Sequence, residues 1–312
     1  MMGNEWWLLG LLPLAALAAA IMNGGSDDGS DDDDDGNFPD ELDLPPPPAD
    51  PEDPTIVGTD GADNLTGTPD ADFIAGAGGN DTISDGVADS DPTTIDKFYG
   101  AGGDDLIDSL EGPTYVVGGD GDDTVNGGAA NDTILGGPGD DVIDVGGLPS
   151  EGETGADWAH GSRGDDTITG GAGDTLYGGG GEDHISGGEF QHGGVGDDTL
   201  VATAGINDVT YMKGGADDDL FQINLNKGES AEILDFKSGT DKLEVSVRDQ
   251  DDLTEDGYVR MTMVEDADGN TVVLIGNPDD PIARLNDLDK LKESDFPQGF
   301  RTAEELAAEQ KT

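Results

Sequence analysis

The chain contains no cysteine, few aromatic residues and little basic charge. Without cysteine, no disulfide can stabilise the fold. The 13 Lys and Arg residues stand against 71 Asp and Glu residues, which gives a formal net charge of -58. Because no basic surface is available to meet phosphate, a nucleic-acid partner is excluded. Only 33% of the residues are hydrophobic, and this composition alone is typical of a disordered chain.

A nine-residue repeat argues against disorder. The pattern is G-G-x-G-x-D-x-U-x, where U is a large apolar residue, and residues 118–144 contain it three times without a gap. Glycine at positions 1, 2 and 4 permits positive φ, so the backbone can turn sharply. Positions 7 to 9 predict a minimal strand whose central residue points inward. Two repeats therefore close one coil, and repeats 18 residues apart should stack on the same side.

The repeats continue through most of the chain. They begin at Gly58, Gly67, Gly76, Gly100, Gly118, Gly127, Gly136, Gly161, Gly170, Gly178, Gly193 and Gly214. Position 8 holds Leu65, Ile74, Ile83, Ile107, Val125, Ile134, Ile143, Ile168, Ile185, Leu200 and Phe221. Intervals longer than nine residues contain degenerate slots whose position 8 is Phe98, Val116, Ala159 or Met212. The register slips only around Gly170 and Gly187. We therefore predict one continuous all-β, parallel β-roll over residues 55–222, with loops protruding from it.

The turns have the chemistry of a metal site. Aspartate at position 6 and the carbonyls freed by the glycine turns are hard oxygen donors, the type that Ca²⁺ prefers. The aspartates recur regularly along the whole repeat region, which favours ion binding over a single catalytic centre.

The two ends of the chain differ from the repeats. Residues 6–22, within a segment 1–25, are uncharged and apolar. They could form a retained membrane anchor, a cleaved signal peptide, or a buried or interfacial helix. Residues 26–54 are acidic and proline-rich, which predicts a disordered linker. Residues 223–298 predict a C-terminal β cap with strands at 231–236, 242–247, 258–264 and 271–275 and a hairpin turn at 266–270. Residues 299–312 form a tail with a short predicted helix at 302–310.

The repeats resemble the hemolysin-type calcium-binding repeats of RTX proteins. Residues 231–243, AEILDFKSGTDKL, resemble the segment that follows such repeats in serralysin-type metalloproteases. The resemblance implies a β-roll that binds several Ca²⁺ ions, type I export, and folding in extracellular calcium. It also implies metal ligands at position 6, namely Asp63, Asp72, Asp81, Asp105, Asp123, Asp132, Asp141, Asp166, Asp183, Asp198 and Asp219. Two further candidate ligands, Asp60 and Asp120, occupy position 3 of their turns.

No protease signature accompanies the repeats. The HExxH zinc motif is absent, and His160, His184 and His192 are expected to be ordinary polar side chains. We therefore expect a non-catalytic calcium-binding protein that is exported or held at the cell surface, with possible membrane contact through residues 6–22. The alternative is a secreted hydrolase whose site lies in the loops at residues 84–99 and 145–160.

Overall fold

The computed structural model describes residues 56–68, 70–86, 95–109, 112–146, 156–203, 209–246, 261–265, 271–277 and 280–286. All regular secondary structure in these ranges is β-strand, and the strands form a 13-stranded sheet A and a 10-stranded sheet B. No helix in this part of the chain is long and apolar enough to cross a membrane. The predicted segments 1–25, 26–54 and 299–312 lie outside the described residues.

The strands alternate between the two sheets along the repeat region. Sheet A contains β1 (Ile56–Val57), β3 (Phe73–Ala75), β5 (Asp96–Gly102), β7 (Thr114–Asp120), β9 (Thr133–Pro138), β11 (Trp158–Arg163), β13 (Thr175–Gly180), β15 (Phe190–Val195), β17 (Val209–Ala216), β19 (Ser230–Ile233), β21 (Met261–Glu265), β22 (Thr271–Asn277) and β23 (Asp280–Asn286). Sheet B contains β2 (Asn64–Thr66), β4 (Thr82–Ser84), β6 (Leu106–Asp108), β8 (Thr124–Asn126), β10 (Val142–Asp144), β12 (Thr167–Thr169), β14 (His184–Ser186), β16 (Thr199–Thr203), β18 (Leu220–Asn224) and β20 (Lys242–Val245).

Each coil contributes one strand to each sheet, so two repeats close one turn of a parallel β-roll. In sheet B, Val125 of β8 pairs in parallel with Ile143 of β10, 18 residues later. In sheet A, Val116 of β7 pairs with Ile134 of β9. The predicted roll and its two-repeat coil are therefore confirmed.

The inward-facing position-8 residues form the core. Ile107, Val125 and Ile143 are at most 1% exposed and stack on one another in sheet B. The predicted residues of the degenerate slots, such as Phe98 and Ala159, stack in the same way in sheet A and belong to the same apolar cluster as the regular repeats. Because the slots keep the register of the regular repeats, the roll is continuous across the irregular intervals.

Leu176 and Gln191 occupy inward positions in the two places where the nine-residue register slips. Leu176 of β13 pairs with Gln191 of β15, so a glutamine occupies a core position in the shortest coil. The Gln191 side chain is fully buried, and its Nε2 donates to the carbonyl oxygens of Gly187 and, over 2.9 Å, of Val201. Its Oε1 has no hydrogen-bond partner. The repeat pattern did not predict this residue because the six-residue interval leaves no regular position 8.

The outward faces of the two sheets differ. On sheet B, Leu106 and Val142 are 47% and 48% exposed. On sheet A, a second apolar cluster is buried, and Tyr177 within it lies 5.6 Å between ring centroids from Trp158 and 6.0 Å from His160. Aromatic pairs at these separations add stability beyond area burial. Sheet A therefore buries apolar side chains on both faces, whereas Leu106 and Val142 on the outer face of sheet B remain exposed.

The C-terminal strands extend the roll beyond the predicted boundary at residue 222. Strands β19 and β20 pair in parallel with β17 and β18. Strands β21 and β22 pair antiparallel, as the predicted hairpin requires, although its turn at 266–270 lies outside the described residues. Strand β23 had no counterpart in the sequence prediction. It joins this hairpin to β19, so the antiparallel strands continue sheet A at its end.

Candidate metal centre

The coil turns at two opposite edges of the roll. We call the turn from sheet A into sheet B the A-to-B edge and the return turn the B-to-A edge. Between inward-facing positions, the A-to-B edge takes nine residues in every coil from Ile56–Leu65 to Met212–Phe221. The B-to-A edge varies from six residues, Ile185 to Gln191, to 16 residues, Ile143 to Ala159. All irregular coil lengths in the repeat region therefore arise at one edge.

A row of aspartates, all of them buried except the half-buried Asp63, lines the A-to-B edge. The main-chain N–H of Asp105 donates to Oδ1 of Asp123 over 2.8 Å, and the N–H of Asp123 donates to Oδ1 of Asp141 over 2.8 Å. The same bond links every successive pair in the row, with donor–acceptor distances of 2.7–3.3 Å. The row comprises Asp63, Asp81, Asp105, Asp123, Asp141, Asp166, Asp183, Asp198, Asp219 and Asp241.

The second carboxylate oxygen of these residues has no protein partner over most of the row. Oδ2 is buried and without a hydrogen bond in seven successive members, Asp81, Asp105, Asp123, Asp141, Asp166, Asp183 and Asp198. A buried carboxylate oxygen without a partner is costly, because burial removes its hydration. A bound cation would supply the missing interaction in each coil.

Glycine at position 1 makes room for these oxygens. A Cβ added to Gly118 would lie 2.3 Å from Oδ2 of Asp123, and one added to Gly178 would lie 2.2 Å from Oδ2 of Asp183. At position 2, Gly119 has a φ of +122°, and its added Cβ would lie 2.3 Å from the carbonyl oxygen of Ala101 in the preceding coil. The glycine turns thus bring main-chain and carboxylate oxygens of successive coils close together.

The carboxyl groups of the row hold their protons more tightly than an ordinary aspartate does. Burial raises the pKa of Asp123 to about 7, of Asp141 to about 8 and of Asp166 to about 9. Hydrogen bonds from the preceding coil lower these pKa values, and the negative charges of neighbouring acids raise them. At neutral pH the bare row must therefore retain protons, lose its burial, or gain cations.

An exposed second row runs beside the buried one at position 5 of the turns. The N–H of Asp122 donates to Oδ1 of Asp104 over 3.2 Å, and the N–H of Asp140 donates to Oδ1 of Asp122 over 3.0 Å. These carboxylates are exposed, so they add negative charge around the buried row without sharing its burial.

The B-to-A edge has a shorter and interrupted row. The N–H of Asp72 donates to Oδ1 of Asp96 over 2.6 Å, but the next position is Thr114. The row resumes when Thr114 donates through both N–H and Oγ1 to Asp132. It then continues through Asp157 to Asp174, with distances of 2.7 Å and 2.9 Å. Among its aspartates, Asp132 has a buried Oδ2 without a hydrogen bond.

The structure sorts the sequence-predicted ligands into three groups. Nine of them belong to the A-to-B row: Asp63, Asp81, Asp105, Asp123, Asp141, Asp166, Asp183, Asp198 and Asp219. Asp72 and Asp132 belong to the B-to-A row. Asp60 and Asp120 are exposed at position 3 and belong to neither row.

Four row members were not identified as ligands from the sequence: Asp96, Asp157, Asp174 and Asp241. A usable signal was present, because each lies two residues before an inward-facing residue. Asp96 and Asp157, for example, precede Phe98 and Ala159, which the repeat spacing had located. Counting back from the apolar position would therefore have found them even where the glycine turn is missing.

The histidines do not form a second centre. His160 and His192 lie on either side of Tyr177 on the outer face of sheet A, with ring centroids 6.0 Å and 5.8 Å from it, and His184 is exposed on sheet B. Nowhere in the described ranges do three or more His, Asp or Glu side chains converge as a metal cluster. The loops at 84–99 and 145–160 are described only outside residues 87–94 and 147–155.

The donor set fits Ca²⁺. At the A-to-B edge each coil supplies one row carboxylate, so main-chain carbonyls and carboxylates of two adjacent turns would have to complete the six to eight oxygens that Ca²⁺ takes. When bound, calcium would neutralise the row and connect the coils. The buried carboxylates, the free oxygens and the glycine turns together define a calcium-binding parallel β-roll.

Comparison with protein families agrees with this geometry. The family model of the RTX calcium-binding nonapeptide repeat (4 copies) matches residues 55–84, 117–147, 151–174 and 174–190. The chain therefore carries RTX calcium-binding nonapeptide repeats, and its metal is calcium, bound at several sites. No curated protein matches the chain.

Proposed function

We propose that the chain is a non-catalytic, exported or cell-surface protein whose β-roll folds when it meets extracellular calcium. The observation that carries the proposal is the run of seven buried Oδ2 atoms without partners between Asp81 and Asp198. Closely stacked carboxylates at the strand spacing of about 4.8 Å repel one another unless a cation or a proton neutralises them. Calcium is thus both the ligand and the condition for folding.

The A-to-B edge would be the main calcium-binding edge. Its position-6 aspartates would supply the carboxylate ligands, and Asp132 would serve a separate site at the opposite edge. The A-to-B row would begin at Asp63 and reach Asp219 near its other end. The B-to-A row would begin at Asp72. The exposed Asp60 and Asp120 would contribute negative charge beside the ions, because they lie outside both buried rows.

Export fits the expected calcium affinity. Extracellular calcium modules bind at roughly 10⁻⁴ to 10⁻³ M, which is well above the calcium level of a cell interior. A chain of this type would stay unfolded during synthesis and fold outside. Residues 6–22 would target or tether the protein, with residues 26–54 as a spacer.

Circular dichroism at pH 7.5 tests the calcium dependence. We expect the strand signal to be absent in EDTA and to return in millimolar Ca²⁺. Millimolar Mg²⁺ is the control and should not restore the signal, because Mg²⁺ demands a small octahedral site and dehydrates reluctantly. A strand signal that EDTA leaves unchanged would contradict the proposal.

Location and catalysis need separate experiments. Fractionation of cells and medium, followed by sequencing of the mature N-terminus, tests export and tethering. A chain truncated before Gly24 that reaches the same compartment in the same amount would show that residues 6–22 neither target nor tether. Hydrolysis of peptides or polysaccharides by the calcium-loaded protein would contradict the non-catalytic assignment.

A further inference from the structure

The last turn of the A-to-B row differs in sequence and in hydrogen bonding from the turns before it. The last full repeat begins at Gly214, and the corresponding turn of the next coil has no glycine at position 1. Asp235 stands there instead, and its Oδ1 and Oδ2 accept hydrogen bonds from the N–H groups of Gly214 and Gly215 over 2.9 Å and 2.8 Å. The space between the turns that carry Asp219 and Asp241 is therefore lined by different residues from the spaces before it. We call it the final space.

Lys237 spans this final space. Its main-chain N–H donates to Oδ2 of Asp241, the last aspartate of the row, over 2.6 Å. Its Nζ donates to the carbonyl oxygen of Gly215, at position 2 of the preceding turn. The side chain thus places a positive charge between an acidic turn and a main-chain carbonyl, and carboxylate and carbonyl oxygens are the donors that would hold a cation in the row.

The surrounding charges are consistent with this placement. Burial raises the pKa of Asp219 to about 7 and also raises the pKa of Asp235 and Asp241. The positive charge of Lys237 lowers the pKa of all three. Lys237 therefore acts on all three of these carboxyl groups, and Lys213 also lowers the pKa of Asp235.

The opposite end of the row is also closed by the chain. Oδ2 of Asp63, the first aspartate, accepts hydrogen bonds from the N–H and Oγ1 of Thr59 over 2.6 Å and 2.8 Å. The Oδ2 atoms at both ends, on Asp63 and Asp241, thus accept hydrogen bonds from the protein, whereas the Oδ2 atoms from Asp81 to Asp198 have none. The oxygens left for added cations lie between the two ends.

We infer that the ammonium group of Lys237 takes the place of the last cation in the row, so that bound calcium stops before the space between Asp219 and Asp241. This inference rests on the proposed role of the A-to-B row in binding calcium. It assigns Lys237 as a built-in counter-ion that ends the series and joins the C-terminal strands to the roll without a metal.

Lys242 is a matched control. It lies five residues later and carries the same charge, but its Nζ donates to Thr240 and Asp241 carbonyl oxygens, over 2.9 Å and 3.3 Å. These contacts lie beside its own position in the chain and do not cross to the preceding turn. Loss of Lys242 changes the net charge equally and leaves the ammonium group of Lys237 in place.

Native mass spectrometry of the full chain at saturating Ca²⁺ gives the number of bound ions. We expect Lys237→Met to bind one more Ca²⁺ than the wild type, and Lys237→Arg and Lys242→Met to bind the wild-type number. Three results would overturn this inference but not the proposed function. They are an unchanged ion count in Lys237→Met, an equal gain in Lys242→Met, and loss of the strand signal of Lys237→Met in saturating Ca²⁺. A wild-type chain that binds no calcium would overturn the proposed function as well.

Discussion

The main-chain N–H of Asp123 donates to Oδ1 of Asp141 over 2.8 Å, although the two residues are 18 positions apart. Asp132, which lies midway between them in the sequence, is bonded to Thr114 and Asp157 on the opposite edge. Residues that are close in the sequence can therefore lie on opposite edges of the roll, and residues 18 positions apart can be in direct contact. Residues nine positions apart serve different rows, and coupling between mutations should reflect this.

Mutations in one row should couple, and mutations across the roll should not. Asp123→Ala removes a carboxylate and leaves the N–H of Asp105 without its acceptor, which should cost about 1–3 kcal/mol. Combined with Asp141→Ala it should cost less than the sum of the two, because the space between them is already damaged. Combined with Asp132→Ala it should be nearly additive. The calcium midpoint of folding for each variant is the measurement. Stronger coupling of Asp123 to Asp132 than to Asp141 would show that the two rows are not independent.

Position 1 of the turn should not accept a side chain. In Gly178→Ala the new Cβ would lie 2.2 Å from Oδ2 of Asp183, so we expect a loss of roughly 1–3 kcal/mol. Gly180→Ala is the control in the same turn, since its nearest neighbours would be 4.0 Å away. This second change should be neutral or slightly stabilising. Urea denaturation in saturating Ca²⁺ measures both, and equal losses would be inconsistent with the carboxylate position described here.

Without calcium, the roll should be more stable at low pH. Burial raises the folded-state pKa of Asp123 to about 7 and of Asp141 to about 8, well above the ordinary value of an aspartate. Folding of the calcium-free chain therefore takes up protons, and the stability present at acidic pH is lost as pH rises through the folded-state pKa values. In EDTA, the strand signal should be largest near pH 4, fall as the pH rises and be lost by about pH 7.5.

Saturating Ca²⁺ should reverse this trend, because protons compete with the metal for the carboxylates. The same circular dichroism titration with and without Ca²⁺ makes the comparison. A calcium-free signal that rises with pH would contradict the buried placement of the row.

Neighbouring residues of one strand should differ sharply in their contribution to stability. Ile143 points into the core and is 1% exposed, so Ile143→Ala should cost about 2–5 kcal/mol. Val142 precedes it, points outward and is 48% exposed, so Val142→Ala should change stability by no more than about 0.5 kcal/mol. Thermal or urea unfolding of the calcium-loaded variants tests this. Similar losses for both would mean that the outer face of sheet B is packed against another part of the chain.

The sequence predicted the parts of the fold that depend on spacing. Regular recurrence of Val125, Ile134 and Ile143 determines which residues point inward, and their stacking in register confirms it. Position-6 residues such as Asp105 followed directly from the same spacing. Thr114 was not anticipated as a break in the second row, although it lies two residues before Val116, the apolar residue of its slot.

Long-range packing was less accessible to sequence analysis. The burial of Gln191 depends on a coil shortened to 15 residues, and nothing in its local sequence indicates an inward position. Strand β23 pairs with two other strands, so its existence depends on contacts that no local pattern shows. The role of Asp235 has the same origin, since its partners are the N–H groups of Gly214 and Gly215, about 20 residues earlier.

Successive coils of 15 residues, as between Asp183 and Asp198, and of 25 residues, as between Asp141 and Asp166, stack with the same hydrogen bond. The height of the roll is therefore counted in coils, at about 4.8 Å each, and not in residues. Because every length difference in the repeat region falls at the B-to-A edge, that edge can change in sequence and size while the opposite edge keeps a fixed spacing. The aspartates of the A-to-B edge therefore keep an even spacing along the roll, whatever the length of the loops at the B-to-A edge.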